Sequence, residues 1–241
     1  MSKSQNTIIL DPPLNSFCSF PTSILPSIVL NDSIELNLKP EKQQIKILPR
    51  KNLLSRSEKV EKKIVANLDH LFLVVTNFPS FNLINSAKMA IRARNENIPF
   101  TIIINKVDHS NVNESFKKKV KALVPFDVCG ETSDSKNFKI IQVSLHDDIL
   151  MNNLGSKIRE IALTSENNEV SICLVGQSGV GKSSIINKLI PSAMQKTGMV
   201  STRYKKGRHT TRESRSFEYK ICGDNKKKYS SWIHQALIPL D

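Results

Sequence analysis

Between Leu71 and Gly176 the chain alternates short, almost wholly apolar runs with longer segments whose apolar residues recur every three or four positions. The runs LFLVVT (71–76), FTIIIN (100–105), KIIQVSL (139–145) and VSICLVG (170–176) have strand length, and hydrophobicity of this kind marks parallel strands covered on both faces. The intervening segments FNLINSAKMAIRARNEN (81–97), NESFKKKVKAL (113–123) and DILMNNLGSKIREIAL (148–163) have helical length. Around the second, Val112, Phe116, Val120 and Leu123 fall on one face with lysines opposite. Repeated strand–helix units predict an α/β domain built on a mostly parallel sheet.

Upstream the period changes. SIVLNDSIELNL (27–38) and QQIKILPR (43–50) are short β-like runs divided by Asn-Asp and Lys-Pro-Glu turn signals, so residues 28–58 read as a small β unit. Residues 1–27 hold six Ser and four Pro without a periodic pattern and read as a flexible leader. Downstream, SSIINKLI (183–190) continues as a helix, and Phe217, Tyr219 and Ile221 alternate as in a strand. The apolar run in QALIPLD ends in Asp241, and a strand missing from the sheet should leave a sheet edge or core face unprotected. There is no internal repeat.

Composition adds a partner. The 241 residues are 39% hydrophobic, and no apolar run approaches the roughly 18 residues of a membrane span, so a soluble, intracellular protein without a membrane partner is expected. Thirty-five Lys and Arg against 22 acidic residues give a formal charge of +13, more than a nucleotide ligand requires. The excess is clustered, with nine basic and three acidic residues over 39–63 and ten and three over 201–228, which points to RNA contact. Cys18, Cys129, Cys173 and Cys222 are scattered without a CxxC pair, so neither a disulfide framework nor a zinc site is expected, and a reducing compartment fits. The compartment is cytoplasmic, or an organelle if the leader is a targeting segment; its lack of Arg suits a plastid better than a mitochondrion.

Candidate chemistry sits at the ends of the predicted strands. GQSGVGKS, Gly176 to Ser183, matches G-x-x-x-x-G-K-S between a strand and a helix, the context that makes this motif a phosphate-binding loop. Its glycines let successive N–H groups of Gly176, Gln177, Ser178, Gly179, Val180 and Gly181 face phosphates, with Ser184 continuing into the helix. Lys182 is the residue to reach the β- and γ-phosphates, and the Ser183 hydroxyl the one to ligate Mg2+. Asn105, Lys106, Val107 and Asp108 follow another strand. A carboxylate at Asp108 accepts both N1–H and the 2-amino group of guanine, a pair that adenine lacks. Asn105 steadies the base and the phosphate loop, while the Lys106 stem packs over the ring. Ser144 and Leu145 end a third strand, where a backbone N–H can reach guanine O6; the usual Ser-Ala-Lys reads Ser144, Leu145, His146 here.

The base-reading element thus precedes the phosphate loop, the reverse of the Ras-like order. With that order the chain resembles a circularly permuted GTPase, and RKNLLSR (50–56) before NLDHLFLVVT, then NKVD, GQSGVGKSS and KKGRHTT (205–211) resemble the YjeQ/RsgA family of ribosome-small-subunit-dependent GTPases. The likeness extends from about Ile28 to Phe217. It implies a P-loop NTPase-type doubly wound sheet in permuted order over 64–241, preceded by a partial OB-fold-like unit. It also implies GTP/GDP and Mg2+ as ligands, GTP hydrolysis in late maturation of the small ribosomal subunit, that subunit and its rRNA as partners, and a monomer. Switch I then falls on GRHTT, with Thr210 or Thr211 as a second Mg2+ ligand and His209 positioning water or touching rRNA.

The family pattern breaks after switch I. A DxxG element is expected there, whose Asp holds Mg2+ through water; DVCG (127–130) lies before the phosphate loop and is read as accidental. Asp241 is a candidate first residue of an interrupted DxxG, and the family's later helices and Cys/His region are not in this sequence. Guanine-nucleotide affinity with weak turnover is therefore expected. The competing readings are a non-catalytic GTP- or RNA-binding remnant and a permuted GTPase of large-subunit assembly.

Overall fold

A computed structural model describes residues 5–9, 17–21, 28–39, 42–56, 61–77, 81–108, 113–123, 140–165, 169–191, 215–222 and 228–235. Its centre is a six-stranded sheet. The strands β7 (His70–Val75), β8 (Phe100–Asn105), β9 (Ile140–Val143), β10 (Glu169–Val175) and β12 (Lys228–Gln235) run parallel, and β11 (Arg215–Cys222) is antiparallel to β12. The order across the sheet is β11-β12-β10-β7-β8-β9. The chain moves outward through β7, β8 and β9 and then returns to the other side of β7 for β10. That reversal opens a crevice at the carboxyl ends of β7 and β10, the place where open α/β sheets bind ligands.

Alternation along the strands explains the layers. In β7, Leu71, Leu73 and Val75 join the core on one face, with Met89, Ala90 and Ala93 of α1 (Leu83–Asn95) and Phe116 and Val120 of α2 (Glu114–Lys121). Phe72 and Val74 join the core on the other, with Met151, Leu154 and Ile158 of α3 (Asp148–Thr164) and Ile185 and Ile186 of α4 (Lys182–Leu189). Burying each of these large side chains contributes about 1.5–3 kcal/mol, so β7, covered on both faces, is an anchor of the site. Asn82, Asn113 and Asp147 cap the starts of α1, α2 and α3 with side-chain oxygens that accept backbone N–H groups.

At the opposite end of the sheet, His70 opens β7 in a buried position, its Nε2 2.9 Å from Thr101 Oγ1 and its ring centroid 5.0 Å from that of Phe72. Burial, with a smaller contribution from Lys157, pulls its pKa down to about 4, while Glu160 and Asp69 act the other way.

The N-terminal part consists of antiparallel hairpins: β1 (Gln5–Ile9) with β2 (Phe17–Pro21), β3 (Ile34–Lys39) with β4 (Lys42–Ile47), and β5 (Leu53–Arg56) with β6 (Lys62–Ala66). The first pair lies inside the stretch that reads as an unpatterned leader, because each of its strands is too short to show a period. Residues 28–32 and 50–56 fasten to the amino ends of β7 and β10. Asn31, at φ 62°, donates its amide to Ala66 O, Asn67 O and Ser171 Oγ. Asn52 and the Leu68 backbone exchange two hydrogen bonds of 2.8 Å.

The phosphate-loop strand has a neighbour on its far side. β12 pairs with β10 from Glu169↔Ser230 to Leu174↔Gln235, and Ile233 is fully buried in the core. Val112 lies outside the described residues, whereas Phe116, Val120 and Leu123 are buried as their spacing requires.

Candidate functional site

β10 delivers Gly176 to the carboxyl edge of the sheet, where a Cβ at that position would collide with the Val74 carbonyl oxygen of β7. Only glycine lets the loop leave the sheet so close to its neighbour. At Gly181, φ is +98° and a Cβ would meet the Asn105 side-chain nitrogen, so both backbone angle and space require glycine. Gly181 is also the N-cap of α4 and makes no side-chain capping bond, unlike the three capped helices. The first-turn N–H groups of α4 therefore face the loop as anion donors.

Lys182 is only 4% exposed, and its ammonium donates to Gly176 O at 2.6 Å and Gln177 O at 2.9 Å. Burial pushes its pKa down to about 8, with Cys173 acting slightly in the other direction. A phosphate entering the loop reverses that cost, because it favours the charged ammonium. Ser178, Ser183 and Ser184 are exposed around the rim, with Gln177 half-buried and Val180 buried beneath.

The NKVD residues meet this loop directly. Asn105, buried at the end of β8, donates Nδ2 to Val180 O at 2.8 Å, while its Oδ1 is buried without a hydrogen-bond partner. Lys106, held at φ 60°, donates Nζ to Gly179 O at 2.8 Å. Val107 packs partly against the core and Asp108 is exposed on the turn that follows. Asn105 pairs with Val143 of β9, which brings the next loop alongside. There Ser144 is buried, its Oγ accepts from His146 N at 3.2 Å, its carbonyl accepts from Asp147 N at 3.2 Å, and Leu145 packs partly on the core. Residues 105–108, 144–145 and 176–184 thus share one edge. His209, Thr210, Thr211, DVCG (127–130) and Asp241 lie outside the described residues.

Of the strands that sequence reading missed, β12 matters to the site because it flanks the phosphate-loop strand. A signal was present in the sequence: Gly-Asp-Asn, a composition typical of hairpin turns, separates KIC from a run containing Tyr229, Trp232 and Ile233. Two serines in that run hid it.

A nucleotide fits these residues: a glycine cradle, an uncapped helix start, a buried lysine and an orphaned amide oxygen converge. For Mg2+ the donor set is thin. Ser183 offers a hydroxyl, yet neither strand beside β10 ends in a carboxylate. Among the described residues no group of three or more His, Cys, Asp or Glu is placed to hold a metal.

Fold and site together define a P-loop nucleotide-binding domain of circularly permuted strand order. The family profile described as RsgA GTPase matches residues 47–224. The Small ribosomal subunit biogenesis GTPase RsgA of Paraburkholderia phytofirmans is 32% identical over 203 residues, 82% of this chain and 58% of that protein. The protein of the same name from Borreliella burgdorferi is 31% identical over 176 residues, 71% of this chain and 51% of that protein. The chain belongs to the RsgA GTPase family, and it spans about half the length of the curated relatives it matches. The crystal structure of YjeQ from Thermotoga maritima shares the fold, with a TM-score of 0.54 over 98% of this chain and 72% of that one at 20% identity. No helix among the described residues is long and apolar enough to cross a membrane.

Proposed function

We propose that this chain binds guanine nucleotide at the carboxyl ends of β8, β9 and β10, hydrolyses GTP slowly, and serves maturation of the small ribosomal subunit. The observation that carries the reading is the Asn105–Val180 hydrogen bond, which ties the base-reading turn to the phosphate loop across 75 residues of reversed order. A base gripped at Asp108 and phosphates seated at 176–183 are then parts of one rigid site. Asp108 selects guanine by accepting N1–H and the 2-amino group, and the Leu145 N–H serves O6. Lys182 and the start of α4 neutralise phosphate charge, the main requirement of phosphoryl transfer. Mg2+ would be held by Ser183 and by Thr210 or Thr211, and would add charge neutralisation at the phosphates. His209 is the switch residue to position water. Turnover is slow because no carboxylate ends the strands beside β10.

The small-subunit partner rests on family membership, on the printed names of the relatives and on the net charge of +13, which suits rRNA phosphates. The scattered cysteines support a chain without its own zinc site and accord with a reducing compartment; the chain is taken to act as a monomer. The test is GTP hydrolysis with and without small subunits, run on the wild type and on Asp108→Asn. An amide at that position donates where the carboxylate accepted, matching the 2-oxo group of xanthine instead of the 2-amino group of guanine. GTP affinity should fall at least ~100-fold and xanthosine triphosphate should become the preferred substrate. Unchanged guanine preference in the variant, or wild-type hydrolysis indifferent to small subunits, refutes the corresponding half of the reading.

A further inference from the structure

The strands on either side of β10 leave the sheet without an acidic side chain. β7 runs out through Val75, Thr76 and Asn77, and β12 through His234 and Gln235, after which the sequence continues Ala236, Leu237, Ile238, Pro239, Leu240. Besides the loop hydroxyl and any switch I hydroxyl, P-loop GTPases hold the ion through an Asp. An ion on Ser183 lies over the carboxyl end of β10, so a carboxylate reaching it directly or through one water has to come from an adjoining strand end; strands are about 4.8 Å apart. Gln235, the last paired residue of β12, is level with Leu174, one residue short of Val175.

Among the described residues, the carboxylates at this edge have other duties. Asp108 follows β8, two strands from β10, and belongs to the base-reading turn. Asp147 caps α3 through Ile149 N and Leu150 N, and Asp148 pairs with Lys188 at 3.0 Å. The positive groups are by contrast close to the loop: Lys182 within it, Lys106 on Gly179 O, and the uncapped start of α4.

We infer that this chain holds guanine nucleotide through its own lysines and backbone donors, with Mg2+ adding little to affinity. The inference deepens the guanine-site reading and rests on it. Nucleotide exchange in such a site is not gated by loss of the ion, since little of the binding free energy passes through it.

The experiment uses the full chain and a fluorescent guanosine diphosphate, with Kd and dissociation rate measured in millimolar Mg2+ and in excess EDTA, and with unlabelled GTP and ATP as competitors. Both quantities should agree between the two buffers within about threefold. A weakening of about tenfold or more in EDTA overturns the inference while the guanine-site reading stands. If Asp241→Asn then abolishes that dependence, the missing carboxylate is assigned to Asp241. Failure of the labelled nucleotide to bind in either buffer, or equal competition by ATP, removes the guanine-site reading and this inference with it.

Discussion

Gly181 shows how much one residue joins. Its positive φ turns the loop into α4, and its bare Cα lets the Asn105 amide lie against the backbone and bond to Val180 O. Gly181→Ala strains the backbone and displaces Asn105, so damage begun in the phosphate loop reaches the base-reading turn. Guanosine diphosphate affinity should fall by about 2–3 kcal/mol, roughly 30- to 150-fold, with part of the preference over adenine lost as well. Competition binding checks this; a loss of affinity with guanine preference intact shows that Asn105 does not transmit the change. The glycine itself was legible in G-x-x-x-x-G-K-S, whereas its contact with Asn105 was not. No local pattern announces a meeting between residues 76 positions apart in the chain.

At the scale of elements, β12 carries the clearest test. Ile233 is fully buried beside β10 in the core with Ile172, Leu174 and Ile185. Ile233→Ala removes that packing and should cost about 2–4 kcal/mol in urea unfolding; a cost below about 1 kcal/mol means that β12 does not complete the core. The strands β7, β8 and β10 were readable because burial on both faces demands apolar residues at nearly every position. The helices were readable from one-sided periodicity, and α2 shows Phe116, Val120 and Leu123 buried as their spacing required. β12 escaped because two serines interrupt its β-forming residues, and its neighbours in the sheet complete it as a strand. Ser230 and Ser231 weaken local β-propensity, and pairing along six residues of β10 overrides them. β1 and β2 escaped for a related reason: a hairpin of five-residue strands has too few positions for alternation to stand out.

For the whole molecule, His70 links stability to pH. Its folded pKa, pulled down to about 4 by burial at the base of the sheet, lies below the ordinary value of 6.5. The unfolded chain therefore takes up the proton first. Stability is complete above about pH 6.5 and is lost as pH falls from there towards 4, about 2 kcal/mol of it between pH 7 and pH 5. Unfolding free energies at the two pH values, compared between wild type and His70→Gln, isolate this contribution from that of the carboxylates. The expected result is a shallower pH slope in the variant; equal slopes refute the assignment.

The reversed order of the two half-sites also has a meaning in time. Asn105 leaves the translating ribosome 75 residues before Val180, the acceptor of its amide. At ordinary elongation rates that gap lasts about 4–15 s. Through that interval the base-reading residues have emerged while the phosphate cradle and the return strand β10 have still to follow. A nascent chain thus presents its base-reading residues before it has a phosphate site to join them to.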